Sequence, residues 1–241
     1  MIEETKPATA SQVPAIRADD PWLSSAREYH QLFTEEERAQ LSPVVSVLRF
    51  KKGAQIYPQG TSATAFFNIV SGVVKAYRTA ADGSDHIVAF LFPDDLFGLA
   101  EEGKYANSTK ALTPVTAFQI PVAAFKPKLA RDPSLEFHLI CKLCQELRSA
   151  QEHSLLLVRR RAVAKLCAFL QLLEARQNAR GERGGEIYLP MNRSEIGEYL
   201  GMSLEAVSRA FHNLTTRGIV KCRDRRHLKI ADRSVLKAIS N

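Results

Sequence analysis

The stretch from Arg193 to Val220 constrains the fold of this chain more than any other feature. Apolar residues recur there at helical spacing in two short runs, and a glycine ends each run, Gly201 the first and Gly218 the second. Ser203 stands where the second helix needs an N-cap. The apolar positions are Ile196, Tyr199 and Leu200, then Val207, Ala210, Phe211 and Leu214. Two amphipathic helices around a tight turn predict a helix-turn-helix, whose second helix enters the major groove of DNA.

The second helix carries polar side chains off its apolar stripe, close to its start. Glu205, Ser208 and Arg209 occupy these positions, and each can exchange hydrogen bonds with base edges. Two alternatives stay open. A carboxylate at Glu205 also suits the positive end of the helix dipole, and a serine at position 208 is compatible with simple exposure.

Charge is distributed unevenly along the chain. From Arg159 onward, 17 Lys and Arg stand against 8 Asp and Glu, whereas the preceding residues hold 16 against 18. A basic segment beside a near-neutral one is typical of phosphate binding, although a solvated surface gives the same balance. The charge therefore favours nucleic acid only in combination with the helix-turn-helix.

Composition excludes several classes of protein. The 241 residues are 45% hydrophobic and 24% charged, which suits two modest globular domains. No run approaches 18 uninterrupted apolar residues, so no membrane span is expected. Residues 1–22 are polar and rich in Ala, Pro and Ser, which predicts a disordered leader and not a secretory signal. Four cysteines without such a signal favour a reducing cytoplasm over a disulfide framework.

Residues 23–132 have the pattern of an antiparallel β-domain. A short helical segment from Ser24 to about Leu48 precedes β-type runs that glycine-containing turns separate. The runs are Val47–Phe50, Ala65–Val70, Val73–Arg78, His86–Phe92 and Val115–Ile120. Short strands at such regular spacing predict a barrel or sandwich.

Residues 133–158 are predicted to form one long helix, with Asp132 as its N-cap and Pro133 at its first position. Six residues within it follow heptad spacing: Ile140, Leu143, Leu147, Ala150, Ser154 and Leu157. This spacing fits a helix that pairs with a second copy of itself, and packing against the β-domain explains it nearly as well.

Residues 159–241 are predicted to form a DNA-binding domain, with the basic cluster Arg159–Arg161 at the junction. Glu186–Leu189 and Ile219–Ile230 bracket the helix-turn-helix as short strands. The second of these segments has the pattern of a hairpin with a basic tip, which is a wing.

The order of these elements resembles the CRP/FNR family of bacterial transcription regulators. The resemblance implies an α+β fold: an N-terminal antiparallel β-roll, which is a jelly roll like that of cyclic-nucleotide-binding domains, a long dimerisation helix and a C-terminal winged helix-turn-helix. It covers about Phe33 to Leu236 and is most specific in Leu189–Leu214. The glycines of the roll that match are Gly53, Gly60, Gly72, Gly83 and Gly98.

The resemblance also implies roles for single residues. Members of this family read bases with a Glu followed, three and four residues later, by a variable residue and an Arg, which correspond here to Glu205, Ser208 and Arg209. Leu204 stands where cyclic-AMP receptors carry a further Arg, so the motif is similar to the FixK-like, FNR-type branch and implies TTGAT half-sites instead of TGTGA. The implied phosphate contacts are Arg193, Ser203, Arg225, Arg226 and His227.

The sensor region departs from the nucleotide-binding members of the family. Those members have a Glu where this chain has Leu99, and an Arg-Ser pair where it has Asn107 and Ser108. Ala150 and Gln151 replace the Thr-Ser pair with which cyclic-AMP receptors touch adenine. Without the Arg, a cyclic phosphate would lack charge-assisted hydrogen bonds. Control by a cyclic nucleotide is therefore not expected.

The cysteines do not match an FNR-type iron–sulfur cluster, which needs four thiolates, because none precedes Cys141. We interpret Cys141 and Cys144 as packing residues of the long helix and Cys167 as a core residue. Cys222 lies beside the basic wing, where positive neighbours lower a thiol pKa. We hypothesise that its oxidation weakens DNA binding; burial in the core of the strand is the alternative.

Other classes of function have less support. The sequence contains no Gly-rich phosphate loop, no nucleophile elbow and no zinc-spaced pair of histidines, so it is not expected to be an enzyme or to hold a metal or other cofactor. One alternative is an effector-dependent regulator that senses haem, NO or another small molecule, and another is a cysteine-based redox or metal-binding protein. Histidines that could ligate haem are scattered: His30, His86, His138 and His153.

The resemblance and the residues together predict a homodimeric, sequence-specific DNA-binding transcription regulator. Its expected site is a TTGAT-N4-ATCAA-like palindrome, bound without a cyclic nucleotide or an iron–sulfur cluster. We expect an activator that contacts RNA polymerase, with exposed loops around Asp82 and Ala100–Tyr105 as candidate contacts.

Overall fold

The computed structural model describes residues 2–5, 44–100, 102–179 and 185–240. They form two compact units, one comprising Met1–Ser84 with Val88–Leu147 and the other Asp85–Ile87 with Arg148–Asn241. Each unit has its own hydrophobic core. Within the described ranges, no helix combines the length and the apolar character needed to cross a membrane.

The first unit contains two antiparallel sheets that form the predicted β-roll. Its strands are β1 (Ile2–Thr5), β2 (Ser46–Phe50), β3 (Gln55–Tyr57), β4 (Ala65–Ser71), β5 (Val74–Thr79), β6 (Asp85–Leu91), β7 (Leu96–Phe97), β8 (Ser108–Ala111) and β9 (Val115–Pro121). One sheet has the order β1-β2-β9-β4-β7 and the other β3-β8-β5-β6. All five predicted runs are strands, within one residue at each end.

Two regions of the first unit differ from the prediction. The strands β3, β7 and β8 were not predicted, because they are too short to show alternation. Residues 2–5 form a strand and not a disordered leader, because their backbone groups pair with β2, with Ile2 opposite Phe50. Residues 6–43 lie outside the described residues. They include the rest of the predicted leader and most of the helical segment predicted from Ser24.

Aromatic rings fill the interior of the roll. The Tyr57 ring stacks on that of Tyr105 with centroids 3.7 Å apart, and Phe67 stacks on Phe97 at 5.1 Å. Gly98 covers this cluster with a φ of +83°, and a Cβ there would lie 3.1 Å from the Tyr105 ring. The family glycine at this position is therefore required both by its backbone conformation and by the packed rings beneath it.

Helix α1 (Val122–Leu129) and helix α2 (Pro133–Val158) follow the roll. The predicted N-cap is confirmed, because Asp132 Oδ1 accepts hydrogen bonds from the backbone N–H of Ser134 and of Leu135, both at 3.0 Å. Leu135 is buried in one cluster with Phe66 and Phe125. The N-terminal part of α2 thus packs against the roll, and α2 ends at the predicted residue.

The heptad residues of α2 are exposed. Ile140 is 51% exposed, Leu143 44%, Leu147 60% and Leu157 42%, and Ala150 and Ser154 are exposed too. Packing on the β-domain is therefore the wrong explanation of the heptad pattern. Cys141 and Cys144 are also exposed, so the packing role predicted for them is not found.

The second unit is a winged helix-turn-helix, as predicted. Its elements after α2 are α3 (Ala162–Ala179), β10 (Glu186–Tyr188), α4 (Arg193–Leu200), α5 (Leu204–Thr216), β11 (Val220–Cys222), β12 (His227–Ile230) and α6 (Arg233–Ser240). The strands pair in the order β10-β12-β11. Helix α3 packs against α5 and α6 and buries Leu166, Phe169, Leu170 and Leu173.

Apart from Asp85–Ile87, the residues of this unit start at Arg148, inside α2, whereas the DNA-binding domain was predicted to start at position 159. The reason is packing between the C-terminal part of α2 and α4. The His153 ring stacks on the Tyr199 ring with centroids 3.9 Å apart and planes 3° from parallel. Helix periodicity cannot reveal such a boundary, because the helix continues through it.

Candidate nucleic-acid interface

A capping box fixes the start of α4. Asn192 Oδ1 accepts a hydrogen bond from the backbone N–H of Glu195 at 2.9 Å, and Glu195 Oε2 accepts one from the backbone N–H of Asn192 at 2.9 Å. The helix ends at Gly201, whose φ of +61° is left-handed, as predicted from its glycine. The Asn-x-x-Glu spacing was visible in the sequence and could have predicted this start.

Gly197 determines how closely the turn approaches α4, a role that was not predicted from the sequence. A Cβ at this position would lie 2.6 Å from the backbone oxygen of Met202, in the turn between the two helices. A side chain there would push the turn away from α4. Because α5 begins directly after the turn, Gly197 helps to fix the position of α5 relative to α4.

Helix α5 has the predicted cap and the predicted division of faces. Ser203 Oγ accepts a hydrogen bond from the backbone N–H of Ala206 at 3.2 Å. Glu205, Ser208 and Arg209 are exposed. Their spacing of three and four residues puts them on one face of the helix. The opposite face is buried through the predicted Val207, Ala210, Phe211 and Leu214.

The Glu205 carboxylate is held in its ionised form. Hydrogen bonds from its own backbone N–H and from Ser203, with the nearby positive charge of Arg209, keep its pKa below the ordinary value. An ionised Glu205 beside an exposed Arg209 presents an acceptor and a planar donor fork on the same face. A carboxylate in the first turn also interacts favourably with the positive end of the helix dipole. The alternative that Glu205 only stabilises the helix therefore stays open.

Arg193, the first residue of α4, packs on α5. Its guanidinium carbon lies 3.1 Å from the centroid of the Phe211 ring. Burial lowers the pKa of this arginine to about 10, which still leaves it charged at neutral pH. Its Nη1 is buried without a hydrogen-bond partner in the described part of the chain. This side chain is thus a packed cation between α4 and α5, and its phosphate contact stays a prediction.

The three wing residues predicted to contact phosphate have different surroundings. Arg225 is exposed. Arg226 Nη1 instead donates a 2.7 Å hydrogen bond to the backbone oxygen of Pro190, which ties the wing to the segment before α4. His227 Nδ1 lies 2.8 Å from Asp224 Oδ2. Two of the three phosphate contacts predicted in the wing therefore also hold the wing itself together.

Asp224 organises the tip of the wing. Its Oδ1 accepts hydrogen bonds from the backbone N–H of Arg226 at 2.7 Å and of His227 at 2.8 Å. These bonds, the first of them above all, lower the pKa of Asp224 to about 2. The carboxylate is therefore ionised at neutral pH, and the wing has a defined shape beside α5.

Two side chains contact the backbone oxygens at the C-terminal end of α4. His153 Nε2, on α2, lies 2.7 Å from the backbone oxygen of Tyr199, and Lys165 Nζ, on α3, donates to the backbone oxygen of Leu200 at 2.9 Å. A positive charge suits a helix C-terminus. Nothing in the sequence indicated these contacts, since they join residues that are far apart in the chain.

The cysteine expectations have mixed outcomes. Cys167 is fully buried, as predicted, and burial raises its pKa to about 11. Cys222 is exposed, so its interpretation as a buried strand residue is wrong. Partial desolvation raises the pKa of Cys222, and the opposing charge of Arg193 does not reverse this. The premise of an unusually acidic thiolate at Cys222 is therefore also wrong.

The described residues contain no group of three or more His, Cys, Asp and Glu side chains arranged to hold a metal ion. Of the four histidines considered for haem, His30 lies outside the described residues. His153 is engaged with Tyr199 within the second unit, and the exposed His86 lies in β6.

Two protein families match the chain. Residues 47–132 match the cyclic nucleotide-binding domain, and residues 164–239 match the Crp-like helix-turn-helix domain. These matches coincide with the roll and with the winged unit. They agree with the order of domains expected from the sequence.

Relatives of known function match about four fifths of the chain. The chain is 31% identical over 195 residues to the nitrogen fixation regulation protein FixK of Rhizobium meliloti, covering 81% of this chain and 87% of the relative. It is 32% identical over 190 residues to the transcriptional activator protein Anr of Pseudomonas aeruginosa, covering 78% of each. The structure of FixK2 from Bradyrhizobium japonicum superposes with a TM-score of 0.76 at 29% identity, covering 82% of this chain and 98% of that one.

These relatives are transcription regulators and not enzymes. Together with an exposed polar face on α5 and a packed wing, they identify the kind of protein. The chain belongs to the CRP/FNR family of DNA-binding transcription regulators and is a FixK-like member of it.

Proposed function

We propose that this protein binds a TTGAT-N4-ATCAA-like palindrome as a homodimer and activates transcription from it. The observation that carries the proposal is the exposed face formed by Glu205, Ser208 and Arg209 at the start of α5. In a helix-turn-helix, the first residues of the second helix approach the base edges. These three side chains are exposed, whereas the opposite face of the helix is buried, so among the described residues they have no packing role.

The chemistry of this face fits the proposed half-site. The Arg209 fork matches the two major-groove acceptors of guanine, and the ionised Glu205 accepts from the amino group of cytosine. Ser208 donates to or accepts from either neighbour. Leu204 is 47% exposed where cyclic-AMP receptors carry an Arg, so the chain has no second fork for the TGTGA pattern.

The exposed heptad stripe of α2 supports the dimer. All six heptad residues are exposed. Three further apolar side chains on the same helix are also exposed: Phe137 by 64%, Leu155 by 64% and Val158 by 75%. An apolar stripe of this length on a monomer marks an interface, and its spacing is that of a helix pair. Two copies would present two recognition helices to half-sites about one helical turn apart.

The interior of the roll supports action without a cyclic nucleotide. Four aromatic rings fill the space beneath Gly98. Ser108 Oγ, in the position of the phosphate-binding loop, already accepts a 2.9 Å hydrogen bond from the backbone N–H of Gln59. The side chain at position 99 is an exposed leucine. At position 107 a cyclic phosphate would therefore meet an asparagine and not an arginine.

The names of two relatives support activation as the direction of regulation. One is a transcriptional activator and another regulates nitrogen fixation. We propose that this protein likewise activates promoters in the cytoplasm by contacting RNA polymerase.

Fluorescence anisotropy tests the proposal. The reduced protein, free of effector, is titrated onto a labelled TTGAT-N4-ATCAA duplex at fixed salt, with a TGTGA-type palindrome as competitor. We expect tight binding that the competitor displaces poorly, with no change on adding cyclic AMP. Equal competition by the two duplexes would overturn the proposed half-site. Binding that requires cyclic AMP would overturn the effector-free action, as would binding that requires haem.

A further inference from the structure

A basic pocket lies at the junction between α2 and α3, inside the second unit. Its volume is about 820 Å³, which is within the range of small-molecule sites. The residues that line it are Arg159, Arg160, Arg161, Ala162, Val163, Ala164, Asn213, Arg217, Ala238 and Ile239. Four of them are arginines and none is acidic.

The arginines of this pocket, Arg159, Arg160, Arg161 and Arg217, have no carboxylate partner among the described residues. Arg159 Nε is buried and has no hydrogen-bond partner there. By contrast, Arg223 and Arg233 of the same unit each pair with a glutamate. Four like charges around one cavity repel each other, and an unsatisfied buried donor carries a desolvation cost. An anion in the pocket would relieve both.

The backbone adds a second set of donors. The first intrahelical bond of α3 runs from the Lys165 N–H to the Arg161 oxygen at 3.0 Å, so the N–H groups of residues 162–164 precede it. These three residues line the pocket. Arg161 precedes the helix, where a capping acceptor is usual, and an arginine has no acceptor atom. The positive end of an eighteen-residue helix thus meets three arginines.

We propose that this pocket binds a small anion that carries phosphoryl groups. Guanidinium forks and helix N-terminal N–H groups are the two donor types that recognise phosphate oxygens most often, and here they line one cavity. The volume admits a ligand larger than a single phosphate.

The position of the pocket favours a free anion over DNA. Arg217 is the C-cap of α5, whereas the proposed base contacts lie in its first turns. At about 1.5 Å per residue, Arg217 is roughly 18 Å from Glu205 along the helix axis. The pocket therefore lies at the end of α5 away from the base-reading residues. Binding of such an anion would be a property separate from DNA recognition and can be measured without DNA.

Isothermal titration calorimetry of the full chain with tripolyphosphate, at constant ionic strength and without DNA, tests the proposal. We expect saturable binding of one tripolyphosphate per chain. The Arg160→Gln, Arg217→Gln double variant should weaken it at least about tenfold. The matched control, Lys221→Gln with Lys229→Gln, removes two positive charges from exposed positions of the same unit and should leave the affinity unchanged.

Three results would overturn the proposal. One is the absence of saturable binding, and another is equal weakening by the two double variants, which would indicate general charge attraction. The third comes from duplexes with and without flanking base pairs. If the pocket variant lost affinity only for the longer duplex and the protein bound no tripolyphosphate, the pocket would serve DNA phosphates outside the palindrome.

Discussion

The recognition helix and the wing are both polar and both lie in the DNA-binding unit, yet they use their polar groups in opposite ways. Helix α5 leaves Glu205, Ser208 and Arg209 exposed. The wing uses Arg226 and His227 within its own fold, against Pro190 and Asp224. A basic residue near DNA is thus not equivalent to a residue free to bind it. The contrast predicts that substitutions in α5 change sequence preference, whereas substitutions in the wing change stability or salt dependence.

The largest expected effect is the loss of DNA affinity when the dimer is disrupted, because a monomer has only one recognition helix. Leu147→Glu introduces a charge into the middle of the exposed stripe of α2 and should give a monomer. Losing the second half-site should weaken binding to the palindrome by roughly 100-fold or more, since linked sites gain about 10²–10⁴ in avidity. Sedimentation velocity and anisotropy measure the two changes.

The control for this experiment is Gln145→Glu. Gln145 is exposed on the same helix but outside the heptad stripe, so this variant adds the same charge elsewhere. It should remain a dimer with unchanged affinity. A monomeric Gln145→Glu protein, or a Leu147→Glu protein that stays dimeric, would contradict the assignment of the interface.

The position of α5 is the next point to test. Gly197→Ala puts a Cβ 2.6 Å from the Met202 oxygen and should destabilise the second unit by about 1–3 kcal/mol, because the turn has to shift. Urea unfolding measures the free energy, and anisotropy measures the accompanying loss of DNA affinity. Ser194→Ala, at an exposed position of the same helix, should change the free energy of unfolding little. An unchanged free energy in Gly197→Ala would show that the turn tolerates a side chain.

The two arginines of the wing tip should separate stability from DNA binding. Arg226→Ala leaves the Pro190 oxygen without its donor and should lower the free energy of unfolding by about 1–3 kcal/mol. Arg225→Ala should leave stability unchanged and reduce the slope of log K against log salt by about 1. Unfolding curves and salt titrations of both variants test this difference. Identical behaviour of the two variants would contradict separate roles for Arg225 and Arg226.

The smallest effect concerns Cys222, on the strand before the wing. Its pKa is raised above the usual 9.0 by partial desolvation, so the thiol is protonated at neutral pH. Its rate of alkylation should therefore be slow at pH 7 and still rise above pH 9. Removing the opposing charge in Arg193→Gln should raise the pKa and slow the reaction further. Mass spectrometry of iodoacetamide-treated protein follows this cysteine separately.

The same residue tests the redox hypothesis. If oxidation of Cys222 weakens DNA binding, Cys222→Ala should retain its affinity after treatment with peroxide while wild type loses part of it. Equal losses in the two proteins would contradict any role of Cys222 in redox control.

The sequence predicted those features that local pattern determines. The faces of α4 and α5, their glycine ends, the Asp132 cap and the limits of α2 all follow from periodicity and capping chemistry. The short strands β3, β7 and β8 were missed because their pairing depends on distant partners. The exposed, polar face of α5 was also predictable, since it is the complement of an apolar stripe.

The parts of the site that depend on tertiary contacts could not be predicted. Nothing local distinguishes Arg225 from Arg226, because only the fold brings the Pro190 oxygen to the second. Likewise, positive neighbours in the sequence suggested an acidic Cys222 thiol, but desolvation outweighs the charge of Arg193. The close approach of Met202 to Gly197 requires the geometry of the turn.

The central claim is that Arg209 reads a base. A double-mutant cycle tests it most directly, with wild type and Arg209→Ala titrated onto the palindrome and onto a duplex in which adenine replaces the guanine of each TTGAT. Wild type should discriminate by about 1–3 kcal/mol at each replaced base, and Arg209→Ala should bind the two duplexes nearly equally. If Arg209→Ala kept the full discrimination of wild type, the assignment of this face as the base-reading surface would be contradicted.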